Sequence, residues 1–558
     1  MTEKFISDPV MPSDFNGYMQ MTIRNNFNLN ALSDYDDETW TFGQIGTEIA
    51  MLHEGFKALG IQQGDKIALI GKNSANWCKI YLASITYGAV IVPVLPDFRA
   101  ADMYTIVNHS DSVLLFVEES IYKMLDLKEM PAIPMALRVR DFSILGASKQ
   151  AEADRVEQAF EQFKQAHPQG IKPEDVNYRS QTSEELIVIS YTSGTTGFSK
   201  GVMLPQRSLL GNIQFARKYM FMNPGERILS FLPLAHTSGC LVEFLFPFTL
   251  GCHITFLTKT PAPSTITEAF GKVKPNLIPS VPLVIEKIYN GKIRPVISKP
   301  AMKILLAIPG IRRILLNKIK AKLTATLGGE FRELVIGGAS FNPDAKKFFR
   351  KIRLPFTVGY GMTECGPLIS YRGWKTTVLQ GCGKIVEQLE LKIDSPDPEH
   401  ISGEIMVRGG NVTLGYYKNP EATSALIDKD GWMHTGDIGT VDKNENIFIR
   451  GRKKSMILSA SGQNIYPEEI EAVLSSYRLF LEVLIVERKN RPVALIVPDP
   501  DYMKKHGITE EHLPAKVKET IKEANHHLAA FMQVADFEIM KEEFEKTPKK
   551  SIKRFKYQ

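Results

Sequence analysis

The sequence predicts a two-domain α/β protein, with a large α/β unit over 1–452 followed by a small α+β unit over 453–558. Three observations lead there. A chain of 558 residues is too long for one hydrophobic core. Short β-branched runs alternate with stretches of helical apolar periodicity, the pattern of a parallel sheet covered on both faces. Past Gly403 the pattern becomes strand-rich and then lysine-rich, and the smaller unit begins close to Gly451-Arg452-Lys453-Lys454.

In chain order, Phe42, Ile45, Ile49, Leu52, Phe56 and Leu59 recur at helical spacing, with Gly60 placed as a stop. A strand at Lys66–Ile70, a helix over 76–87, a strand at Val90–Val94, a helix over 99–108 and a strand over 113–117 follow. Between 149 and 185 the composition turns charged and glutamine-rich, which reads as one exposed helix and a surface connection. Strands resume at 186–190, 201–204, 228–232, 253–257, 276–281 and Glu333–Ile336. The segment 287–329 holds ten lysines and arginines and no acid, with Ile304, Leu305, Leu306, Ile311, Ile314, Leu315 and Leu316 interleaved. It reads as a basic amphipathic helix, lying either on an anionic membrane surface or solvated against its own domain. Strands at 404–408, 438–441 and 447–450 lead to the small unit, with helices over 467–476 and Leu513–Asn525 and strands over 481–486 and 493–497.

Composition narrows the function. A net charge of +6, with basic and acidic residues mixed through most of the chain, gives no case for nucleic acid. Cys78, Cys240, Cys252, Cys365 and Cys382 form no C-x-x-C pair, which favours reduced thiols and a cytoplasmic protein. Residues 1–20 carry acids and prolines rather than a signal peptide. The uncharged run 80–96 is broken by Gly88 and Pro93 and reads as a helix and a buried strand, not a membrane span. Neither G-x-S-x-G nor H-E-x-x-H occurs, so a serine or metal hydrolase is unsupported.

One stretch concentrates chemistry. Residues 191–201 contain Thr192, Ser193, Gly194, Thr195, Thr196, Gly197, Ser199 and Lys200 directly after the apolar run 186–189. Glycines let backbone N–H groups approach a ligand, and the hydroxyls and lysine add donors and charge, as a cradle for phosphate oxygens requires. It is not the Walker sequence, because Lys200 follows Ser199 and precedes Gly201.

Taken with Phe231-Leu232-Pro233-Leu234-Ala235-His236, Gly337-Gly338-Ala339, Gly359-Tyr360-Gly361-Met362-Thr363-Glu364, His434-Thr435-Gly436-Asp437, Gly451-Arg452-Lys453-Lys454 and the string 464–471, this stretch resembles the adenylate-forming (AMP-binding) superfamily. The resemblance runs from about Thr39 to the C-terminus and is strongest to long-chain fatty acid-CoA ligases, on Val281-Pro282-Leu283, the basic insertion and 358–370. It implies a large multi-sheet N-terminal domain and a small mobile C-terminal domain. It also implies a two-step reaction in which a carboxylate attacks the α-phosphate of ATP, and the thiol of CoA then displaces AMP from the acyl-adenylate.

By the same resemblance, Thr192, Ser193, Gly194, Thr195, Thr196, Gly197 and Lys200 hold the β- and γ-phosphates, Thr363 contacts the α-phosphate and Glu364 binds Mg2+. A lone carboxylate with waters suits that ion. Gly337, Gly338, Ala339 and Tyr360 would form the adenine pocket, with Tyr360 offering a ring to stack on, Gly361 and Met362 would also bind the nucleotide, and Asp437 and Arg452 would hold the ribose. His236 would stand near the acyl and thiol channel, Lys454 at the hinge and Gly462 beside the pantetheine arm.

The chain departs from the family at one place. The family's terminal Thr-Pro-x-x-Lys lysine, which reaches the reacting carboxylate, is replaced here by Ser551 in Thr547-Pro548-Lys549-Lys550-Ser551. Either Lys550 (or Lys549) substitutes through a flexible tail, or the first half-reaction is slow. The alternatives to CoA ligation are transfer to an acyl carrier protein and a non-catalytic nucleotide or acyl-adenylate binder.

Overall fold

The chain is organised around an eight-stranded sheet whose order is Gly415–Tyr416, Lys200–Pro205, Leu186–Thr192, Val90–Val94, Lys66–Ile70, Ser112–Val117, Met135–Arg138, Ile144–Ala147. The computed structural model describes residues 11–192, 200–259, 262–338, 341–458, 463–488, 491–546 and 552–558. The five central strands are parallel, as the alternating pattern predicts. Both ends of the sheet differ from the expectation, being antiparallel. The physical reason at the Lys200 end is length: Thr192 and Lys200 pair in register across only seven intervening residues, too few for the crossover that a parallel strand needs.

Local signals set the helices that cover this sheet. The helix Phe42–Leu59 opens on a reciprocal Thr41–Gln44 capping box and stops at Gly60, whose φ of 74° is left-handed. The helix Ala75–Tyr87 starts on the Ser74 side chain and ends at Gly88 in the same way. Helix Gln150–Ala166 and the connection after it occupy the glutamine-rich stretch, with only Ala153 and Val156 of the helix buried.

A second sheet joins Arg227–Ser230, His253–Phe256, Asn30–Asp34 and Thr39–Thr41, and a third holds Leu277–Ser280, Glu333–Ile336 and Phe356–Val358 in parallel. Leu389–Asp394, Gly403–Gly409, Met433–Val441 and Ile447–Arg452 form an antiparallel meander. One continuous apolar core runs through all of these, from Phe15 to Ile447. All five cysteines are free and buried.

Beyond Ile457 the apolar side chains form separate clusters. The sheet Phe480–Arg488, Arg491–Pro498, Asp536–Ile539 turns Val483, Ile485, Ala494 and Ile496 toward helices Pro467–Leu474 and Leu513–Asn525. Its other face turns Leu484, Val486, Leu495 and Val497 toward Phe544 and Tyr557 near the chain end. The strand period of two thus loads both faces.

The basic segment is not one helix. It divides into Pro282–Ile288, a π turn at Tyr289–Ile293, then Arg294–Ile297, Pro300–Ala307 and Pro309–Thr326. Pro300 and Pro309 each open a new helix, since proline cannot donate to the turn before it. Among the described residues no helix is long and apolar enough to cross a membrane.

Candidate active site

Strand pairing assembles the centre of the site. Thr192 faces Lys200 in the antiparallel hairpin, and Tyr416 pairs with Val202 of the same strand. The Lys200 ammonium lies 4.7 Å from the centroid of the Tyr416 ring, a cation–π distance. On its far side the Tyr416 hydroxyl donates to Glu364 Oε1 at 2.8 Å. Burial first, and the Glu364 carboxylate second, push the Tyr416 phenol well above its ordinary range, so it donates throughout physiological pH.

Glu364 is buried, in the short turn Thr363–Cys365, and its carbonyl accepts from Thr413 N–H at 2.8 Å. One carboxylate oxygen is therefore engaged by Tyr416, and among the described residues no hydrogen bond to the other is seen. Among the described residues no group of three His, Cys, Asp or Glu converges on a metal position. A single hard oxygen donor of this kind fits Mg2+, which keeps most of its water.

The second half of the site begins at Tyr360, four residues before Glu364. Tyr360 Oη donates to Asp437 Oδ2 at 2.7 Å, and Arg452 Nε reaches Asp437 Oδ1 at 3.3 Å. Asp437 and Arg452 face each other in the register of the Met433–Val441 and Ile447–Arg452 hairpin. Burial raises the Asp437 carboxyl, and Arg452 opposes the rise. Gly337 and Gly338 follow strand Glu333–Ile336, and Gly338 has φ 90° with, among the described residues, only Val281 near the position a Cβ would take. A side chain at Gly361 would collide with the Pro367 carbonyl, which keeps this strand close to its partner. Met362 is half-buried and its N–H donates to Pro367 O at 2.9 Å.

His236 is half-buried at the head of Thr237–Gly239, which continues into a π turn over Cys240–Leu245. The turn leading to it is clamped from two sides. Glu243 Oε2 accepts from Ser230 Oγ at 2.8 Å and from the N–H groups of Phe231 and Leu232 at 3.0 Å each. Asn73 donates to Leu232 O at 2.6 Å and to Ser230 Oγ at 3.2 Å, and accepts from Leu234 N–H at 3.0 Å. Burial pushes the Glu243 carboxyl well above the usual carboxylate range, those donors opposing it. Between this turn and the Leu186–Thr192 strand runs a narrow apolar cavity of about 20 Å³, lined by Val188, Leu204, Leu234, Ala235, Leu241 and Gly366.

Lys454 is exposed in the turn Lys453–Ser455. Its neighbour Lys453 pairs with Glu404 at 2.8 Å, and Glu404 also holds His434 Nδ1 at 3.1 Å and Gly436 N–H at 3.2 Å. Of the residues expected from the sequence, Ser193, Gly194, Thr195, Thr196, Gly197, Ser199, Ala339, Gly462, Lys549, Lys550 and Ser551 lie outside the described residues. The structure brings Thr192, Lys200 and Glu364 together, and Tyr360, Asp437 and Arg452 together. Sequence reasoning missed Tyr416, Asn73 and Glu243. Tyr416 carries no local signal, since its partner Glu364 is 52 positions away.

Residues 20–417 match the family model described as AMP-binding enzyme, and 454–558 match the model described as AMP-binding enzyme C-terminal domain. A long-chain-fatty-acid–CoA ligase of Mycobacterium bovis, FadD15, is 28% identical over 93% of this chain and 90% of its own length. A long-chain-fatty-acid–[acyl-carrier-protein] ligase of Arabidopsis thaliana, AEE15, is 27% identical over 86% of this chain and 74% of its own. Among solved structures, the anthranilate CoA ligase AuaEII in complex with anthranoyl-AMP superposes with a TM-score of 0.77 at 18% identity, covering 99% of this chain and 98% of that one. The likeness to the solved structure is one of fold: a multi-sheet α/β body followed by a C-terminal domain.

Proposed function

The chain belongs to the AMP-binding enzyme family, and from that footing we propose that it activates a long-chain fatty acid with ATP and passes the acyl group to CoA. In the first step a carboxylate oxygen bonds to the α-phosphorus of ATP and the bond to the β-phosphate oxygen breaks, giving acyl-adenylate and pyrophosphate. In the second step the CoA sulfur bonds to the acyl carbon, AMP leaves with the carboxyl-derived oxygen, and the thiol proton passes to solvent. The observation that carries this reading is the line Lys200, Tyr416, Glu364, with the Tyr360–Asp437–Arg452 group beside it.

An anion attacking a phosphate is opposed by charge repulsion, so the site needs oriented cations and donors more than a strong base. Lys200, held on a rigid strand and over an aromatic face, supplies positive charge where the pyrophosphate departs. Thr192 and Thr363 offer hydroxyls at the two ends of that path. Asp437, raised by burial yet facing Arg452, accepts from ribose hydroxyls, and Tyr360 gives the base a flat apolar surface. Glu364 would hold Mg2+ through the oxygen that Tyr416 leaves available, and the ion supplies charge neutralisation on the triphosphate. His236 lies in the chain between Ala235 and Thr237, which line the apolar cavity, and it would orient the acyl end.

The chain-length reading draws its support from the M. bovis relative. The A. thaliana relative favours a second acceptor, an acyl carrier protein. Pyrophosphate release screened over fatty acids of increasing length, followed by mass spectrometry of products formed with CoA or with carrier protein, tests both. Palmitoyl-CoA as the product is the expected result. Release with no carboxylic acid would overturn the reading.

A further inference from the structure

We propose that the segment 294–322 is a docking surface for an anionic lipid bilayer. Helices Pro300–Ala307 and Pro309–Thr326 meet at a corner around Ile308. Ile304, Leu305, Ile308, Ile311 and Ile314 belong to these helices and their joint, Val296 to the helix before, and they are six of the fifteen exposed large apolar side chains among the described residues. Ile304 is 67% exposed and Ile314 58%, values that no packing against the body of the protein would leave. The opposite side of Pro309–Thr326 is anchored, with Leu316 and Leu323 buried and Ile319 packed on the main core. The outward aliphatics are thus a presented face rather than a poorly folded one.

The charge around them is uncompensated. Lys299, Lys303, Arg312, Arg313, Lys318, Lys320 and Lys322 share the stretch with no acidic residue from 287 to 329. Among the described residues none of these cations belongs to an ion pair, although lysines and arginines elsewhere on the surface commonly do. Aliphatic side chains with long cationic ones beside them match the boundary between headgroups and acyl chains, where ammonium and guanidinium groups reach outward while their stems stay apolar. A second copy of this chain fits poorly, since a two-fold contact would set the same cations against each other. Nucleic acid would leave the aliphatics in water.

The surface connects directly to the site. Helix Pro282–Ile288 and the π turn Tyr289–Ile293 join it to Val281, the residue that faces Gly338. The docking surface therefore begins two short helical pieces along the chain from the residue beside Gly338. The binding is measured without catalysis, so its failure and the failure of the acid-activating reading are separate results.

The test is flotation of the full-length protein with vesicles of phosphatidylcholine, alone or mixed with phosphatidylglycerol, at low and high salt. Retention on the phosphatidylglycerol vesicles, lost as salt rises, is expected. Arg312→Gln with Arg313→Gln should weaken vesicle affinity about thirtyfold. Ile304→Ser with Ile308→Ser and Ile311→Ser should abolish retention while the melting temperature and pyrophosphate release in detergent stay unchanged. No retention on phosphatidylglycerol vesicles at low salt, equal retention on both compositions, or retention untouched by both variant sets would overturn the proposal. So would concentration-dependent dimerisation, or RNA binding, that disappears with the same substitutions while vesicle retention persists.

Discussion

Tyr416 donates its hydroxyl proton to Glu364 Oε1 at 2.8 Å while its ring carries the Lys200 ammonium at 4.7 Å. One aromatic side chain therefore fixes the spacing between the cation and the carboxylate of the site.

Tyr416→Phe keeps the ring for Lys200 and removes only the donor to Glu364. A hydrogen bond to a charged group contributes about 1.5–3 kcal/mol, so pyrophosphate release should fall about tenfold to a hundredfold. The Mg2+ concentration for half-maximal rate should rise with little change in melting temperature. Unchanged Mg2+ dependence would remove Tyr416 from the site.

Asn73 and Glu243 act through the turn that carries His236, and so are positioning residues. Glu243→Ala strands the buried N–H of Phe231, costing about 1–3 kcal/mol, and the half-buried N–H of Leu232, and should lower the melting temperature. Glu243→Gln retains the accepting oxygen and should restore both stability and activity. Asn73→Ala should raise KM for the fatty acid while that for ATP stays near the parent value; equal changes in the two would assign Asn73 a purely structural part.

His53 makes the large domain acid-labile. Its ring nitrogen lies 3.0 Å from the Ala83 carbonyl, among Phe56, Tyr87 and Tyr178, and burial lowers its pKa from 6.5 to about 4. The unfolded imidazole takes up its proton near pH 6.5 and the folded one only near pH 4. The unfolded state thus binds more protons between these values, and stability is full above about pH 6.5 and drains as pH falls toward 4. The loss is at most about 3 kcal/mol. His53→Gln should flatten the melting-temperature profile across that window relative to the parent, and parallel profiles would refute the assignment.

The serine at 551 gives the remaining prediction. Ser551→Lys should accelerate pyrophosphate release, and Lys549→Ala with Lys550→Ala should suppress it in the parent background. Fast release that ignores both changes would mean that no lysine of this tail serves the first half-reaction.

Much of the fold could be read locally. The helix Phe42–Leu59 announces its start at Thr41 and its stop at Gly60, and both signals act within a few residues. The direction of Lys200–Pro205 needed a second consideration, the seven-residue span before it, because apolar pattern is blind to whether a strand runs parallel or antiparallel. Pro300 and Pro309 in the same way divide what periodicity alone joins into one basic helix. At the site, strings of adjacent residues such as 360–364 were legible, while Tyr416 with Glu364 and Asn73 with the 230–234 turn are contacts made by strand order. No sequence window contains them.

At the other end of the chain, Lys546 and Ile552 form an antiparallel bridge, Lys546 pairs with Glu482, and Arg554 pairs with Glu471. These contacts fix Lys546 and Arg554 on either side of 547–551, and a one-residue shift of Lys546 against Ile552 would break the bridge. A lysine moved from 551 to 550 or 549 in the sequence replaces no residue of the bridge or of these two ion pairs. The position of this charge in the sequence can therefore change without touching the contacts that hold the chain end, and 549 and 550 are where compensation for a lost lysine is to be sought.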